Sequence, residues 1–471
     1  MLDKEFKEKI EALLGTDRSS FAPEDLIAYS YDANTEKRAM PEGVVLPESV
    51  AEVSAILKLA NEYEVPVTPR GGASGYTGGV VPVEGGIIMA MDRFNKILEI
   101  DRDNFLAIVE PGVITKTLQE EVDKIGLMYP PDPASTAFST IGGNIAENSG
   151  GLRAVKYGVT KNYVMGLEVV LPTGEVVRTG SKCIKDVVGY NLTELFVGSE
   201  GTLGVITKAV IKIVPKPESV RTMTATFRTL EDAAEAVKAI FATGVRPSTL
   251  EFLDRISVEV VERAIHFGAR PEEGALLLIE VDGPDIALDG DVANIEAACK
   301  KCGVITFRKA RTEEEREELW KARRALSFAV CEISEDWEDD DISVPISRIP
   351  QMIRKLDEIA ARHDIIIYNF GHYGDGNIHV GMTTGKSGRP FPMAAKDEVV
   401  AAAVSLEGRI AAEHGIGCVK VHNLHWNIDE PTLKMMRSFK KLLDPKGILN
   451  PGKVTSGPTW FMGDRTPWRT W

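Results

Sequence analysis

The chain has 471 residues, 27% of them charged and 44% apolar, with a formal net charge of −15. That composition belongs to a globular protein of roughly two to four ordinary domains, and its acidity argues against a nucleic-acid partner, which needs a basic face. No stretch approaches the eighteen or so uninterrupted apolar residues of a membrane span, while a small anionic substrate stays open because a local cluster of positive charge can override the global sign.

Met1-Leu2-Asp3-Lys4-Glu5 lacks the charged-then-apolar pattern of a signal peptide. In the first hundred residues, helical and strand patterns alternate. Val53, Ile56, Leu57 and Ala60 share one face of the segment 50–62, which predicts an amphipathic helix. Short strands are expected at 65–68, 86–91 and 106–110, with a glycine-rich turn at 71–79 and a helix at 115–125. Further strands are expected at 164–171 and 205–214, before a boundary at Pro215-Lys216-Pro217.

Beyond it come a strand at 223–227, helices near 230–243 and 257–267, and the apolar strand 275–281. A helix near 291–302, a strand at 304–307 and a helix at 313–330 follow, then the acidic segment 335–341. This β-α-α-β-α-β rhythm predicts a separate α+β domain with a mainly antiparallel sheet. A strand at 365–369 and a helix from about 394 to 412 come next. The expected division is a domain over 1–217, a second over 218–410, a C-terminal segment over 411–456, and a tail over 457–471 carrying Trp460, Trp468 and Trp471. Cys183, Cys299, Cys302, Cys331 and Cys418 are odd in number and scattered, which suits a reducing compartment and makes the cytoplasm the expected location. Cys299 and Cys302 form a lone CxxC, read as chance spacing because a cluster or structural zinc takes about four ligands.

Three segments concentrate glycine and small polar residues: 69–79 (PRGGASGYTGG), 129–158, and 189–207 with Gly198-Ser199-Glu200-Gly201-Thr202-Leu203-Gly204. Glycine lets backbone approach a ligand closely, and successive N–H groups in such turns make anion-binding concavities. The first is neither a Walker A loop nor a dinucleotide fingerprint, and a solvent-exposed turn would explain it equally well alone. Together the three suggest backbone wrapped around a large, phosphate-bearing ligand.

In order and spacing these segments resemble the FAD-binding domain of the vanillyl-alcohol-oxidase superfamily. The resemblance runs from Val44 to Lys453 and is nearest to the FAD-linked D-2-hydroxyacid dehydrogenases, the D-lactate dehydrogenases and glycolate oxidase catalytic subunits among them. It implies an α+β chain with a two-part FAD-binding domain and an α+β substrate or cap domain. The residues it places on FAD are Arg70, Gly71, Gly72, Ala73, Ser74, Gly75, Thr77, Gly78 and Gly79 from the first segment. From the second come Pro131, Asp132, Ser139, Thr140, Gly142, Gly143, Asn144, Asn148, Gly150, Gly151, Tyr157 and Gly158. Glu200, Gly201, Gly204 and Ile206 come from the third, and the closing motif 444–453 adds Asn450, with Lys453 contacting or supporting the cofactor. Some members attach FAD through a histidine in the first glycine loop; Ala73-Ser74-Gly75 has none, so non-covalent FAD is expected.

Six of the seven histidines lie between 363 and 425. Gly374-Asp375-Gly376 is strong turn chemistry, so His372 and His379 can converge across it. The helix expected up to residue 412 would bring Glu413, with Gly415 as its cap. Two imidazoles and a carboxylate can hold a divalent ion with an open position; the alternative is that both imidazoles satisfy backbone groups in the turn. On a helix, Glu413 and His414 would point about 100° apart and face different groups. The resemblance gives His372, His379 and Glu413 to a divalent metal (zinc, iron or manganese), His414 to the base beside flavin and substrate, and Arg323 to the substrate's carboxylate. His363 is read as a helix end, and His422 and His425 as surface or packing residues. Dicarboxylate-oxidising relatives carry a lysine just before an Asp-x-Ser-x-Pro stretch, where this chain has Glu338-Asp339-Asp340 before Asp341-Ile342-Ser343-Val344-Pro345. Lactate or glycolate is therefore expected ahead of 2-hydroxyglutarate.

The expected function is metal-assisted, FAD-dependent oxidation of a small D-2-hydroxy acid. Electrons would pass to an electron-transfer flavoprotein, an iron–sulfur subunit or a quinone-linked chain, with a homo-oligomer or a peripheral membrane complex as possible settings. An oxygen-reducing oxidase, a non-catalytic flavin electron-transfer subunit and a metal-dependent hydrolase stand as alternatives.

Overall fold

The computed structural model describes residues 2–35, 37–270, 272–329, 337–387 and 389–455. Cys331 and the three tail tryptophans lie outside the described residues. The chain forms two compact units. The first comprises the described residues of Met1–Gly150, Val159–Lys216 and Glu413–Trp471; the second comprises Gly151–Gly158 and Pro217–Ala412.

In the first unit a small sheet runs in the order Ser19–Ser20, Gly43–Val45, Ile87–Ala90, Val67–Arg70. Its last three strands are parallel, which demands a crossover. The helix Val50–Tyr63 supplies it, started by the Ser49 hydroxyl accepting from the Glu52 N–H and ended at a left-handed Glu64. Its predicted face is the buried one: Val53, Ile56, Leu57 and Ala60 pack with Phe6, Ile10, Ile87 and Met89. Burying each large aliphatic contributes about 1.5–3 kcal/mol. A second, antiparallel sheet has the order Ile97–Asp101, Leu106–Val109, Val205–Lys212, Val164–Val170, Val176–Gly180. The closing motif is tied to the first sheet, since Val67 N–H donates to the Ile448 carbonyl and Asn450 N–H to the Val67 carbonyl.

The second unit is built on a seven-stranded antiparallel sheet. Its order is Thr306–Lys309, Ser219–Phe227, Ala275–Gly283, Thr249–Leu253, Ile366–His372, Asn377–Thr383, Trp337–Ser343. Its longer helices among the described residues are Leu230–Ala242, Arg255–Ile265, Asp285–Lys301, Glu313–Ala329, Ile349–His363 and Met393–Ser405. Both faces carry apolar cores, one around Phe227, Val237, Phe252 and Leu356, the other around Leu253, Leu276, Trp320 and Leu326. The fold class is thus the expected mixture of helix and mainly antiparallel sheet.

One expectation fails here, and one segment given no predicted element turns out to have one. From Trp337 to Ser343 the acidic segment is the sheet's outer strand, paired residue for residue with Asn377–Thr383. The helix expected to reach 412 stops at Ser405, where Glu407 turns left-handed (φ 65°) and the Gly408 N–H returns to the Ala403 carbonyl at 2.9 Å. A Cβ on Gly408 would stand 2.3 Å from the Ser343 carbonyl oxygen, so glycine is required at this stop. No helix among the described residues is long and apolar enough to cross a membrane.

Candidate active site

The first unit contains a cavity of about 300 Å³. All three glycine-rich segments line it, through Arg70–Gly75 and Gly79, Thr140 with Gly142–Asn144 and Gly150, and Glu200, Gly201, Gly204 and Ile206. The glycines make the close packing of its walls possible. A Cβ on Gly71 would lie 2.4 Å from the Thr140 hydroxyl, one on Gly72 2.2 Å from the Phe138 carbonyl oxygen, and one on Gly142 2.4 Å from Pro111. At Gly75 a Cβ would meet nothing within 4 Å. The Arg70 guanidinium holds the wall together, donating to the carbonyls of Tyr31 at 2.8 Å and Ala28 at 3.0 Å.

Glu413 and His414 also line this cavity. They sit on an irregular segment beyond the second unit's last helix, so the helical 100° separation does not apply, and Gly415 (φ 83°) turns this loop without capping a helix. His414 Nε2 lies 3.9 Å from Glu413 Oε1, and the imidazole stacks at a tilt on Tyr76, with ring centroids 5.6 Å apart. Thr77 and Glu200 both anchor the segment. Thr77 donates its hydroxyl to the His414 carbonyl at 3.0 Å, and the Glu200 carboxylate accepts from the N–H groups of Ile416 (2.8 Å) and Gly417 (2.7 Å).

Besides Glu413, the carboxylates of Asp32, Glu147 and Glu200 line this cavity. Burial pushes Asp32 up to about 6, although its oxygens accept from the N–H groups of Gly78 (2.7 Å) and Asn34 (2.9 Å). Burial also raises Glu200 above the usual carboxylate range, partly offset by its two backbone donors and by Lys453. Glu147 is raised further, first by burial and then by the charges of Glu200 and Asp32, and its Oε2 has no hydrogen-bond partner among the described residues.

In the second unit Ile366–His372 and Asn377–Thr383 form a hairpin across Gly374-Asp375-Gly376. Gly376 (φ 88°) must be glycine, since a Cβ would sit 2.1 Å from the Val344 carbonyl oxygen. The hairpin brings His372 and His379 edge to face, with centroids 5.2 Å apart and planes at 87°. Each imidazole has a buried carboxylate at Nδ1: Glu251 Oε1 at 2.5 Å from His372, and Asp341 Oδ1 at 3.5 Å from His379. Asp341 is itself fixed by Asn377 Nδ2 at 2.7 Å and the Ala412 N–H at 2.9 Å. Arg323 Nε donates to the second oxygen of Glu251 at 2.8 Å, and its guanidinium lies 4.8 Å above the Phe370 ring. Burial raises Glu251, but the His372 and Arg323 charges outweigh it and hold the carboxyl below its usual range.

The other residues singled out in the sequence lie elsewhere. Thr77, Gly78, Pro131, Asp132, Ser139, Asn148 and Asn450 are in the first unit but do not line its cavity. Several of them support its wall: Ser139 bonds Thr115, Asn148 closes the helix Ile141–Glu147, and Asn450 Nδ2 donates to the Gly79 and Glu200 carbonyls. Lys453 donates to the Val81 carbonyl at 2.6 Å. Gly151, Tyr157 and Gly158 belong to the second unit, where the Tyr157 hydroxyl donates to Asp282 at 2.8 Å. His363 ends its helix against Glu398, and His425 packs on Trp426. Sequence reasoning missed Asp32, Glu147 and Glu251. Only Glu147, inside a glycine-rich segment, carried a signal that could have found it.

Residues 216–454 match the family model for FAD linked oxidases, C-terminal domain, and residues 41–180 match a FAD binding domain. The glycolate oxidase subunit GlcD of Bacillus subtilis (strain 168) is 43% identical over 457 residues, covering 96% of this chain and 97% of that protein. The D-lactate dehydrogenase of Anaerostipes hadrus is 36% identical over 429 residues, covering 88% and 90%. In fold, the chain is similar to 4-ethylphenol oxidase from Gulosibacter chungangensis, with a TM-score of 0.76 at 20% identity, covering 98% and 99% of the two chains. Long, specific matches to both domain models, and relatives aligned over nearly their whole length, place this chain in the family of FAD-linked oxidases.

Proposed function

We propose that the chain oxidises a small D-2-hydroxy acid, D-lactate or glycolate, to the 2-oxo acid, with non-covalent FAD and a divalent ion, and passes the electrons to a protein or quinone acceptor. The observation that carries this reading is that Glu413 and His414 line the same cavity as the three glycine segments. The names of the relatives, a glycolate oxidase subunit and a D-lactate dehydrogenase, support the substrate class.

The glycine-walled cavity supports a flavin, since glycines at 71, 72 and 142 let its walls close-pack and Gly75 leaves bare backbone on the lining for a ligand to approach. Bound FAD supplies the acceptor for the hydride that leaves C2 of the hydroxy acid. His414 takes the hydroxyl proton, the task for which an imidazole within hydrogen-bond reach is suited. Arg323 holds the substrate's carboxylate, for which its planar fork is matched. His372, His379 and Glu413 would hold a divalent ion (zinc, iron or manganese) that acts as a Lewis acid on the hydroxyl. The buried carboxylates behind both imidazoles fit that role, because metal-ligating histidines are usually oriented through their other nitrogen.

The test is an anaerobic absorbance spectrum before and after D-lactate, L-lactate and glycolate are added separately. Bleaching by D-lactate or glycolate is expected; a flavin that none of them bleaches would overturn the substrate. Acid precipitation should leave the flavin in the supernatant, and flavin in the pellet would overturn non-covalent binding. His414→Ala should slow flavin reduction strongly with the yellow cofactor retained, whereas a normal rate would remove His414 from the mechanism. His372→Ala should lower metal content and activity together, and unchanged metal would defeat the ligand assignment.

A further inference from the structure

Glu251 lies in the middle of Thr249–Leu253, a strand with every residue buried. Leu250 and Phe252 enter one core of the second unit and Leu253 the other, so Glu251 shares a face where an apolar side chain of similar size would satisfy packing. A fully buried carboxylate needs partners, and replacing such charged groups by apolar ones is often neutral for stability. Both Glu251 oxygens are engaged, Oε1 with His372 Nδ1 at 2.5 Å and Oε2 with Arg323 Nε at 2.8 Å. Strand register sets Glu251 opposite His372, and the helix Glu313–Ala329 delivers Arg323.

We infer that Glu251 is a positioning residue for the oxidation proposed above: one carboxylate fixes the His372 imidazole for the metal and the Arg323 guanidinium for the substrate's carboxylate. The inference rests on that reading for the roles of His372 and Arg323, and on the hydrogen bonds for the link between them. An Nδ1–H donated to Glu251 puts the ring's lone pair on Nε2, the tautomer a ligand needs. Anchoring Arg323 through Nε fixes the plane of its fork over Phe370, so its terminal N–H groups are set in direction before substrate arrives. Neither of the residues joined by Glu251 can shift without disturbing the other's anchor.

The test compares wild-type holoenzyme with Glu251→Gln and Glu251→Asp. Metal per chain is measured after dialysis against graded chelator, kcat and KM are measured for the hydroxy acid that bleaches the flavin, and flavin content and far-ultraviolet circular dichroism report the fold. Glutamine keeps the shape but loses the charge and one acceptor. It should weaken metal binding by roughly 10–100-fold, as removal of such a partner usually does, and raise KM at least about 10-fold, the loss expected for a weakened charged hydrogen bond, with flavin content unchanged. Aspartate, one methylene shorter, reaches one partner only, so it should impair either metal binding or KM more than the other. Metal affinity and KM within twofold of wild type in both variants would overturn the inference. So would loss of flavin and of the dichroism signal in both, which would assign Glu251 to the fold alone. If wild-type protein retains no ion, the metal reading fails and KM decides Glu251; if no acid bleaches its flavin, the proposed reaction fails and metal affinity decides it.

Discussion

Replacing Glu200 by glutamine changes the hydrogen-bonding sense of one atom where two backbone N–H groups converge. The carboxylate accepts from Ile416 at 2.8 Å and from Gly417 at 2.7 Å, fixing the loop that carries Glu413 and His414. Glutamine keeps one acceptor oxygen and turns an NH₂ group toward the other N–H. A hydrogen bond to a charged group contributes about 1.5–3 kcal/mol, and an orphaned buried donor costs about 1–3 kcal/mol. Against this, neutralising Glu200 removes a burial penalty, since its carboxyl is already raised above its usual range. The net expectation is a loss of about 1–2 kcal/mol, which for a domain of 150–250 residues is a melting-temperature drop of roughly 2–8 °C. The same change loosens the loop beside His414, whose carbonyl accepts from the Thr77 hydroxyl and whose ring packs on Tyr76. A misplacement of about 1 Å costs on the order of 100-fold in rate, so anaerobic flavin reduction should slow at least about tenfold. Calorimetry and stopped-flow absorbance on flavin-saturated protein check the two effects. A variant that melts and reduces like wild type would show that Glu200 does not hold the loop.

Asp32 should write itself into the pH dependence of stability. Its carboxyl is raised from 3.8 to about 6 by burial, so its contribution is fully present below about pH 4 and lost as pH rises through about 6, on the order of 3 kcal/mol at most. Asp32→Asn should flatten that part of the slope in urea unfolding between pH 4 and 7, and an unchanged slope would reject the assignment. Gly417 has φ 53° and a virtual Cβ 1.9 Å from the Thr77 carbonyl oxygen. Gly417→Ala should therefore cost at least about 1–2 kcal/mol in strain alone and reduce activity, as a thermal melt and an activity assay would show. Gly75→Ala is the informative contrast. Its Cβ meets nothing within 4 Å, yet the residue lines the cavity, so flavin affinity should fall while the flavin-free protein melts within about 1 °C of wild type. A lower melt without flavin, or unchanged flavin affinity, would contradict the assignment.

What could be read in the sequence had a local cause. The glycine segments were legible because close backbone approach demands glycine wherever it occurs, and the crossover helix Val50–Tyr63 because its apolar face follows the 3.6-residue period. The His372–His379 hairpin was legible through Gly374-Asp375-Gly376, whose turn chemistry is local too. The end of the helix at Ser405 was not, because alanine-rich sequence reads as continuous helix and the Gly408 stop is enforced by Ser343, far away in the chain. The acidic strand Trp337–Ser343 runs against strand propensity and is held by its pairing with Asn377–Thr383 and by the polar partners of Asp341.

The buried carboxylates carry the same argument further. Asp32 binds a group 46 residues away, Glu251 one at 121, and Glu200 groups at 216 and 217. Asp32 and Glu251 are single acids in otherwise unremarkable stretches, Glu200 sits in a glycine-rich one, and the partners of all three are created only by folding. Such residues lock distant segments into register at a cost in desolvation, which explains why no periodicity announces them. It also predicts where their neutral isosteres should act: on the geometry of the loop, imidazole and guanidinium they hold, more than on the stability of the cores around Ile56, Phe252 and Leu276.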